Sequence, residues 1–241
     1  MKYLDINLDI GEGFNIEAEV MPLINSCNIA CGGHAGDILE MTRLISLAKK
    51  HQVKIGAHPS YPDKENFGRV SMDISKKDLK ESLEKQLIDF LELLDNPNEL
   101  HHVKPHGAFY NDCAINIDFA NIMIEIILEY CPKALLFTLP NSIMAKRAKS
   151  KGINVWREAF IDRGYKENGQ LQNRGEKGAI LTNSSAMFQQ LKNFVINRKV
   201  KTINGKWISI EADTFCVHGD HPNAYKNLRE VLHLYKQIDK K

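Results

Sequence analysis

Nowhere in the 241 residues do roughly 18 apolar residues run together, the minimum for a membrane-crossing helix, so no membrane span is expected. An excess of one charge sign is missing too. Lysines and arginines number 32 against 30 aspartates and glutamates, and a formal net charge of +2 gives no reason to expect nucleic acid or an anionic membrane as a partner. The five cysteines (Cys27, Cys31, Cys113, Cys131, Cys216) are irregularly spaced and form no Cys-x-x-Cys pair, a pattern that suggests neither a zinc site nor a disulfide framework, and reduced thiols are the simplest reading. Charges at Asp5 and Asp9 fall where a signal peptide needs its apolar stretch, so the cytoplasm is the expected compartment. Also absent are G-x-S-x-G, G-x-x-x-x-G-K-[ST], H-E-x-x-H and the kinase signatures. The first glycine-rich loop, Gly11-Glu-Gly-Phe-Asn15, is not the G-x-G-x-x-G of dinucleotide folds. No linker, low-complexity tract or composition shift divides the chain, which reads as one domain over residues 1–241.

What is present is a repeating strand–helix rhythm. Tyr3–Ile10 alternates apolar and polar residues, and short apolar strands recur at Ser26–Cys31, Val53–His58, His101–Gly107, Ala134–Leu139, Asn154–Phe160 and Asp213–Val217. Lys206–Ile210 is a possible further short strand. Between them, helical periodicity runs from Asp37 to about His51, from a Ser75 cap through Leu94, over Phe119–Leu128, from an Asn141 cap to Gly152, from Ser184 to about Arg198, and through Leu228 to Tyr235. Asn168-Gly169 is a hairpin-turn signal inside the long loop after the sixth strand. About seven parallel strands, each followed by a helix, point to an α/β fold closed or nearly closed as a TIM-like barrel.

In such a barrel the C-terminal strand ends converge on one face. At those ends stand Asp9 and Glu12, Asn28 and His34, His58 and Asp63, Lys104 and His106, Glu158, Asp162 and Arg163, and His218 and Asp220. Each has a plainer reading. A histidine at a strand end is often a hydrogen-bonded structural residue, and Lys104 could face the barrel interior, paired, or reach solvent. Arg163 and Arg174 could clamp a carboxylate or phosphate, or decorate a surface loop. Asp37 reads as a helix cap, and His51, His101, His102 and His233 as structural. Taken together, histidines, carboxylates and one lysine at a common mouth suit hydrolysis or phosphoryl-assisted chemistry on a small polar molecule, with or without a metal.

The same residues carry a family resemblance. Asn7-Leu-Asp-Ile-Gly-Glu12, Asn28-Ile-Ala-Cys-Gly-Gly-His-Ala-Gly-Asp37, Gly56-Ala-His-Pro-Ser-Tyr-Pro-Asp63 with Phe67-Gly-Arg69, Val103-Lys-Pro-His-Gly-Ala108, Glu158-Ala-Phe-Ile-Asp-Arg163 and Val217-His-Gly-Asp220 resemble the LamB/YcsF lactam-utilization family. The resemblance implies an irregular TIM-like barrel related to polysaccharide deacetylases. It also implies a role as the A subunit of an ATP-dependent 5-oxoprolinase, with 5-oxoproline and ATP as ligands, Mg²⁺ accompanying the nucleotide, and subunits B and C as partners. On position and residue type, Asp9, Glu12, His58, Lys104 and His106 are the expected catalytic set. Asn28, His34, Arg163, His218 and Asp220 are expected to bind substrate. Whether the protein itself binds a metal is left open. Two alternatives stand beside this expectation: a metal-dependent amide or acetyl hydrolase, and a non-catalytic lactam-binding subunit.

Overall fold

Ile6, Leu8 and Ile10 on one side of the first strand and Asn7 and Asp9 on the other are all buried, as expected of a barrel strand covered on both faces. The fold is taken from a computed structural model that describes residues 4–220 and 223–239. Seven strands form a closed parallel barrel in the order β1 (Ile6–Ile10), β2 (Ser26–Ala30), β3 (Lys54–His58), β4 (Leu100–Val103), β5 (Leu135–Thr138), β6 (Val155–Phe160) and β9 (Thr214–Val217), with β9 pairing back onto β1. The helices between them are α1 (Glu17–Val20), α2 (Ile38–His51), α3 (Lys76–Leu91), α4 (Gly107–Ile115), α5 (Ile117–Tyr130), α6 (Ile143–Ser150), α7 (Ser184–Lys192) and α8 (Ala224–Asp239). Among the described residues no helix is long and apolar enough to cross a membrane.

Local chemistry sets the helix starts. Asp37 accepts from the Glu40 amide at 2.8 Å and Ser75 from that of Asp78 at 3.1 Å, satisfying amides that a first turn leaves open. The cap of α6 is Ser142 rather than Asn141: Asn141 takes a left-handed conformation (φ 62°), and the Ser142 hydroxyl accepts from the Ala145 amide. Several boundaries also differ from the periodicity. The first strand begins at Ile6, and Tyr3 lies outside the described residues. The fourth ends at Val103, because Pro105 offers no amide to continue the ladder. The helix expected from Ser184 to Arg198 stops being α-helical at Lys192 and continues as a π-turn over Asn193–Asn197. Beyond it β7 (Lys199–Lys201), which carries no period of its own, pairs antiparallel with β8 (Trp207–Ser209), within the possible strand Lys206–Ile210.

The barrel interior is polar. Asp5 Oδ1 accepts from the Ser26 and Thr214 hydroxyls at 2.8 Å each, and Asn7 Nδ2 donates to the Thr214 hydroxyl at 2.8 Å. Asn28 Nδ2 donates to Asn7 Oδ1 at 2.8 Å and to Asp9 Oδ1 at 2.7 Å, while His102 Nε2 donates to Asn28 Oδ1 at 2.6 Å. Such a column holds only when every member is satisfied, and here its hydrogen bonds run from the foot of the barrel up to Asp9. Gly56 makes room for it, since a Cβ there would overlap the His102 ring paired opposite.

Burial, with His101 and Lys104 nearby, pushes His102 well below its ordinary 6.5, and burial beside Lys54 pushes His101 down to about 4. Both are therefore neutral in the folded chain, whereas in the unfolded chain they titrate near 6.5. Below that pH the unfolded state takes up protons that the folded state refuses, so stability falls as pH falls. Urea midpoints are expected to be level above about pH 7 and to drop progressively between about pH 6.5 and pH 4. A midpoint unchanged over that window would mean that the two imidazoles do not report on folding.

Candidate active site at the barrel mouth

Lys104 follows β4, where its amide still donates to the Ala57 carbonyl, and its side chain turns into the barrel. The ammonium lies 2.8 Å from Asp9 Oδ1, 2.9 Å from Glu158 Oε1 and 3.1 Å from Cys216 Sγ. Burial alone would lower its pKa, but Asp9, Cys216 and Glu158 hold it well above the ordinary lysine value. Burial would likewise raise Asp9, yet Lys104, His58 and His218 keep it well below the usual carboxylate range. The result is a buried carboxylate–ammonium–carboxylate triad under the mouth.

Beside it stand three histidines and Glu12. His58 Nδ1 donates to the Lys104 carbonyl at 2.6 Å, and His106 Nε2 donates to the Phe67 carbonyl at 3.0 Å. A carbonyl oxygen only accepts, so these bonds assign the tautomers: the free lone pairs are on His58 Nε2 and His106 Nδ1. Those two atoms face one another at 3.0 Å. Burial, helped by neighbouring His34, pushes His106 down to about 3 against the pull of Glu12. Glu12 is held well below its ordinary range despite burial, and with His106 Nδ1 unprotonated its donor is His34 Nε2. Its Oε1 lies 3.1 Å from His34 Nε2, 3.3 Å from His106 Nδ1 and 3.9 Å from His58 Nε2. His34 stacks on His106 with ring centroids 3.6 Å apart, and its Nδ1 is buried with no hydrogen-bond partner. Glu12, His34, His58 and His106 each offer one ligand atom, all within 4.8 Å of one another; Asp9, Cys216 and His218 form a second such group.

The loop before α3 completes the wall. Phe67 adopts a left-handed φ of 56°, a strained conformation for a bulky side chain, and thereby delivers its carbonyl to His106. The turn also needs Gly107, at φ 57°, because a Cβ there would strike the Gly68 carbonyl. On the opposite side the His218 amide and Nδ1 both donate to Asp162, at 2.8 and 2.9 Å, leaving His218 Nε2 3.9 Å from Asp9 Oδ2. Burial would raise Asp162, but His218 holds it at about 2. Above all these groups opens a cavity of about 550 Å³ whose lining includes Asp9, His58, Lys104, His106, Phe160 and His218.

Asp9, Glu12, His34, His58, Lys104, His106 and His218, named from the strand ends, thus come together in space. The other three expected residues are placed differently. Asn28 sits one layer beneath, fully buried and bonded to Asn7, Asp9 and His102, so it positions Asp9 rather than presenting an amide to the cavity. Arg163 lines the cavity, yet Nε and one terminal nitrogen donate to the Ala179 and Gln172 carbonyls and tie down the loop that carries the Asn168-Gly169 turn. Asp220 is engaged by Arg69 and, at 2.6 Å, by Arg174. Strand-end position alone does not point to Asn7, to Phe67 or to Tyr110, which lines the cavity. Asn7 could have been found from its position two residues before Asp9 on the same strand face, and Tyr110 from the first turn of the helix that opens at His106.

Known proteins share both the sequence and the fold of this chain. Residues 4–240 match the profile of the LamB/YcsF family. A Pyrococcus horikoshii protein named as the A subunit of 5-oxoprolinase is 39% identical over 238 residues, covering 95% of this chain and 93% of its own length. Its namesake from Neisseria meningitidis serogroup C is 38% identical, with 93% and 92% covered. The crystal structure of the lactam utilization protein from Thermus thermophilus superposes with a TM-score of 0.85 at 33% identity, covering 98% of both chains.

Proposed function

The chain belongs to the LamB/YcsF family, and from that premise we propose that it is the A subunit of an ATP-dependent 5-oxoprolinase, a hydrolase that couples the opening of 5-oxo-L-proline to L-glutamate with the cleavage of ATP. The observation that carries the reading is the pairing of an oriented His58–His106 couple with the buried Asp9–Lys104–Glu158 triad at the floor of one cavity. A five-membered lactam is a resonance-stabilised amide with a poor leaving group, and unaided hydrolysis is slow. Transfer of the γ-phosphoryl group to the lactam oxygen makes the ring carbon electrophilic. Water then adds to that carbon as its proton passes to His58 Nε2, the C–N bond breaks, and the same proton goes to the departing nitrogen. A second water releases inorganic phosphate. Lys104 supplies the fixed positive charge for oxyanion and phosphoryl oxygens, and His218, held by Asp162, closes the far side. Mg²⁺ enters with the nucleotide.

The word "subunit" in the relatives' names supports an assembly of several chains, and we place subunits B and C beside this one in the cytoplasm. Glutamate release from 5-oxo-L-proline should require ATP and should reach its full rate only when all three subunits are combined. An equal rate without ATP, abolished by chelation, would instead favour a metal-dependent amide hydrolase, a reading that the Glu12–His58–His106 cluster supports.

A further inference from the structure

Two imidazoles whose lone pairs meet head-on at 3.0 Å repel one another, and His58 Nε2 and His106 Nδ1 are held in that arrangement by backbone carbonyls on their other nitrogens. A third electron-pair donor, Glu12 Oε1, is directed at the same place, 3.3 Å from His106 Nδ1 and 3.9 Å from His58 Nε2. A proton can bridge two of these atoms, whereas a metal cation satisfies all three. From this convergence we propose that Glu12, His58 and His106 bind one divalent transition-metal ion, with the cavity on its open side and His34 as the positioning residue that holds Glu12.

Both ligand histidines have the outer hydrogen bond that metal-bound imidazoles use to fix tautomer and ring plane, and both partners are backbone carbonyls. His34 plays the outer role for the carboxylate, donating from Nε2 to Glu12 Oε1 at 3.1 Å while stacked on His106. Two nitrogens and one carboxylate oxygen suit Zn²⁺ and its first-row neighbours, whereas Mg²⁺ prefers an all-oxygen shell. The Asp9–Cys216–His218 group is a poorer candidate, because the Lys104 ammonium already sits 2.8 Å from Asp9 and 3.1 Å from Cys216. His58 Nε2 cannot hold the ion and take a proton at once, so the general-base role proposed above belongs to the metal-free site. The binding readouts below are independent of which reaction the cavity carries.

The test uses the untagged full-length chain, stripped with a chelator and titrated calorimetrically with Zn²⁺, Mn²⁺ and Mg²⁺. Zn²⁺ is expected to bind with a stoichiometry of about one, more tightly than Mg²⁺, and to raise Tm by roughly 5–10 °C at a hundred-fold excess over Kd. His34→Gln should weaken Zn²⁺ binding about 10–100-fold, as loss of an outer partner does, whereas Glu12→Gln and His106→Gln should weaken it by more than about 100-fold. Circular dichroism identifies any variant that has not folded, and Co²⁺ substitution of the unmutated chain removes the dependence on variants. Bound Co²⁺ should show visible d–d bands without the near-ultraviolet thiolate charge-transfer band that Cys216 would produce. A folded chain that takes up neither Zn²⁺ nor Mn²⁺, a thiolate band, or undiminished binding in folded Glu12→Gln and His106→Gln would each overturn the assignment.

Discussion

Replacing Lys104 with methionine is expected to cost about 3–5 kcal/mol of folding stability and to lower Tm by roughly 6–20 °C. The volume is nearly conserved, so the effect is electrostatic. Without the ammonium, Asp9 and Glu158 are carboxylates with almost no access to water, and the cation that bridged them at 2.8 and 2.9 Å is gone. The usual response is for such a group to take up a proton or for water to enter, and either weakens the Asn7–Asn28–Asp9 column below. The signature that separates this from a packing defect is a double-mutant cycle. Adding Glu158→Gln to the methionine variant removes one uncompensated charge and should recover part of the loss, although Glu158→Gln alone destabilises. Equilibrium denaturation of the four chains is the measurement. Strict additivity would mean that Lys104 and Glu158 do not form the pair described here.

On the proposed function, His58→Ala should lower kcat for ATP-dependent glutamate release by roughly 10²–10⁴-fold in the proposed three-subunit complex, with KM for 5-oxoproline changed far less. The reasoning is geometric. His58 presents Nε2 to the cavity, its other nitrogen is locked on the Lys104 carbonyl, and Asp9 Oδ2 lies 3.4 Å from Nε2, ready to stabilise the imidazolium that forms when water loses its proton. His218→Ala is the informative comparison. That ring is anchored by Asp162 and comes no nearer than 3.9 Å to Asp9, so its removal should cost considerably less. Equal losses from the two variants, or a His58→Ala complex with normal turnover, would take the general base away from His58. Steady-state kinetics with circular dichroism on each variant decides the matter.

Much of this architecture was legible beforehand. The period of two in Ile6-Asn-Leu-Asp-Ile10, the 3.6 period after Asp37 and Ser75, and the polar residues clustered at strand ends are local properties, written within about ten residues of chain. They suffice for strands, helices and a barrel, and with the six sequence blocks for the family. The misplaced features lack a local signature. β7 is a strand only because β8 pairs with it, and Asn141 loses the cap of α6 because the chain there turns left-handed.

The sequence by itself determined which residues reach the mouth of the barrel: Asp9, Glu12, His34, His58, Lys104, His106 and His218 all follow from strand periodicity and its termination. The tertiary structure decided what each does there. Lys104 meets Asp9 across 95 positions of chain, and His58 meets the Lys104 carbonyl across 46, distances over which no periodicity carries information. Tautomers, charge states and the withdrawal of Asn28 beneath the site depend on which carbonyl or carboxylate arrives from another strand, and only closure of the barrel brings those partners within hydrogen-bond reach.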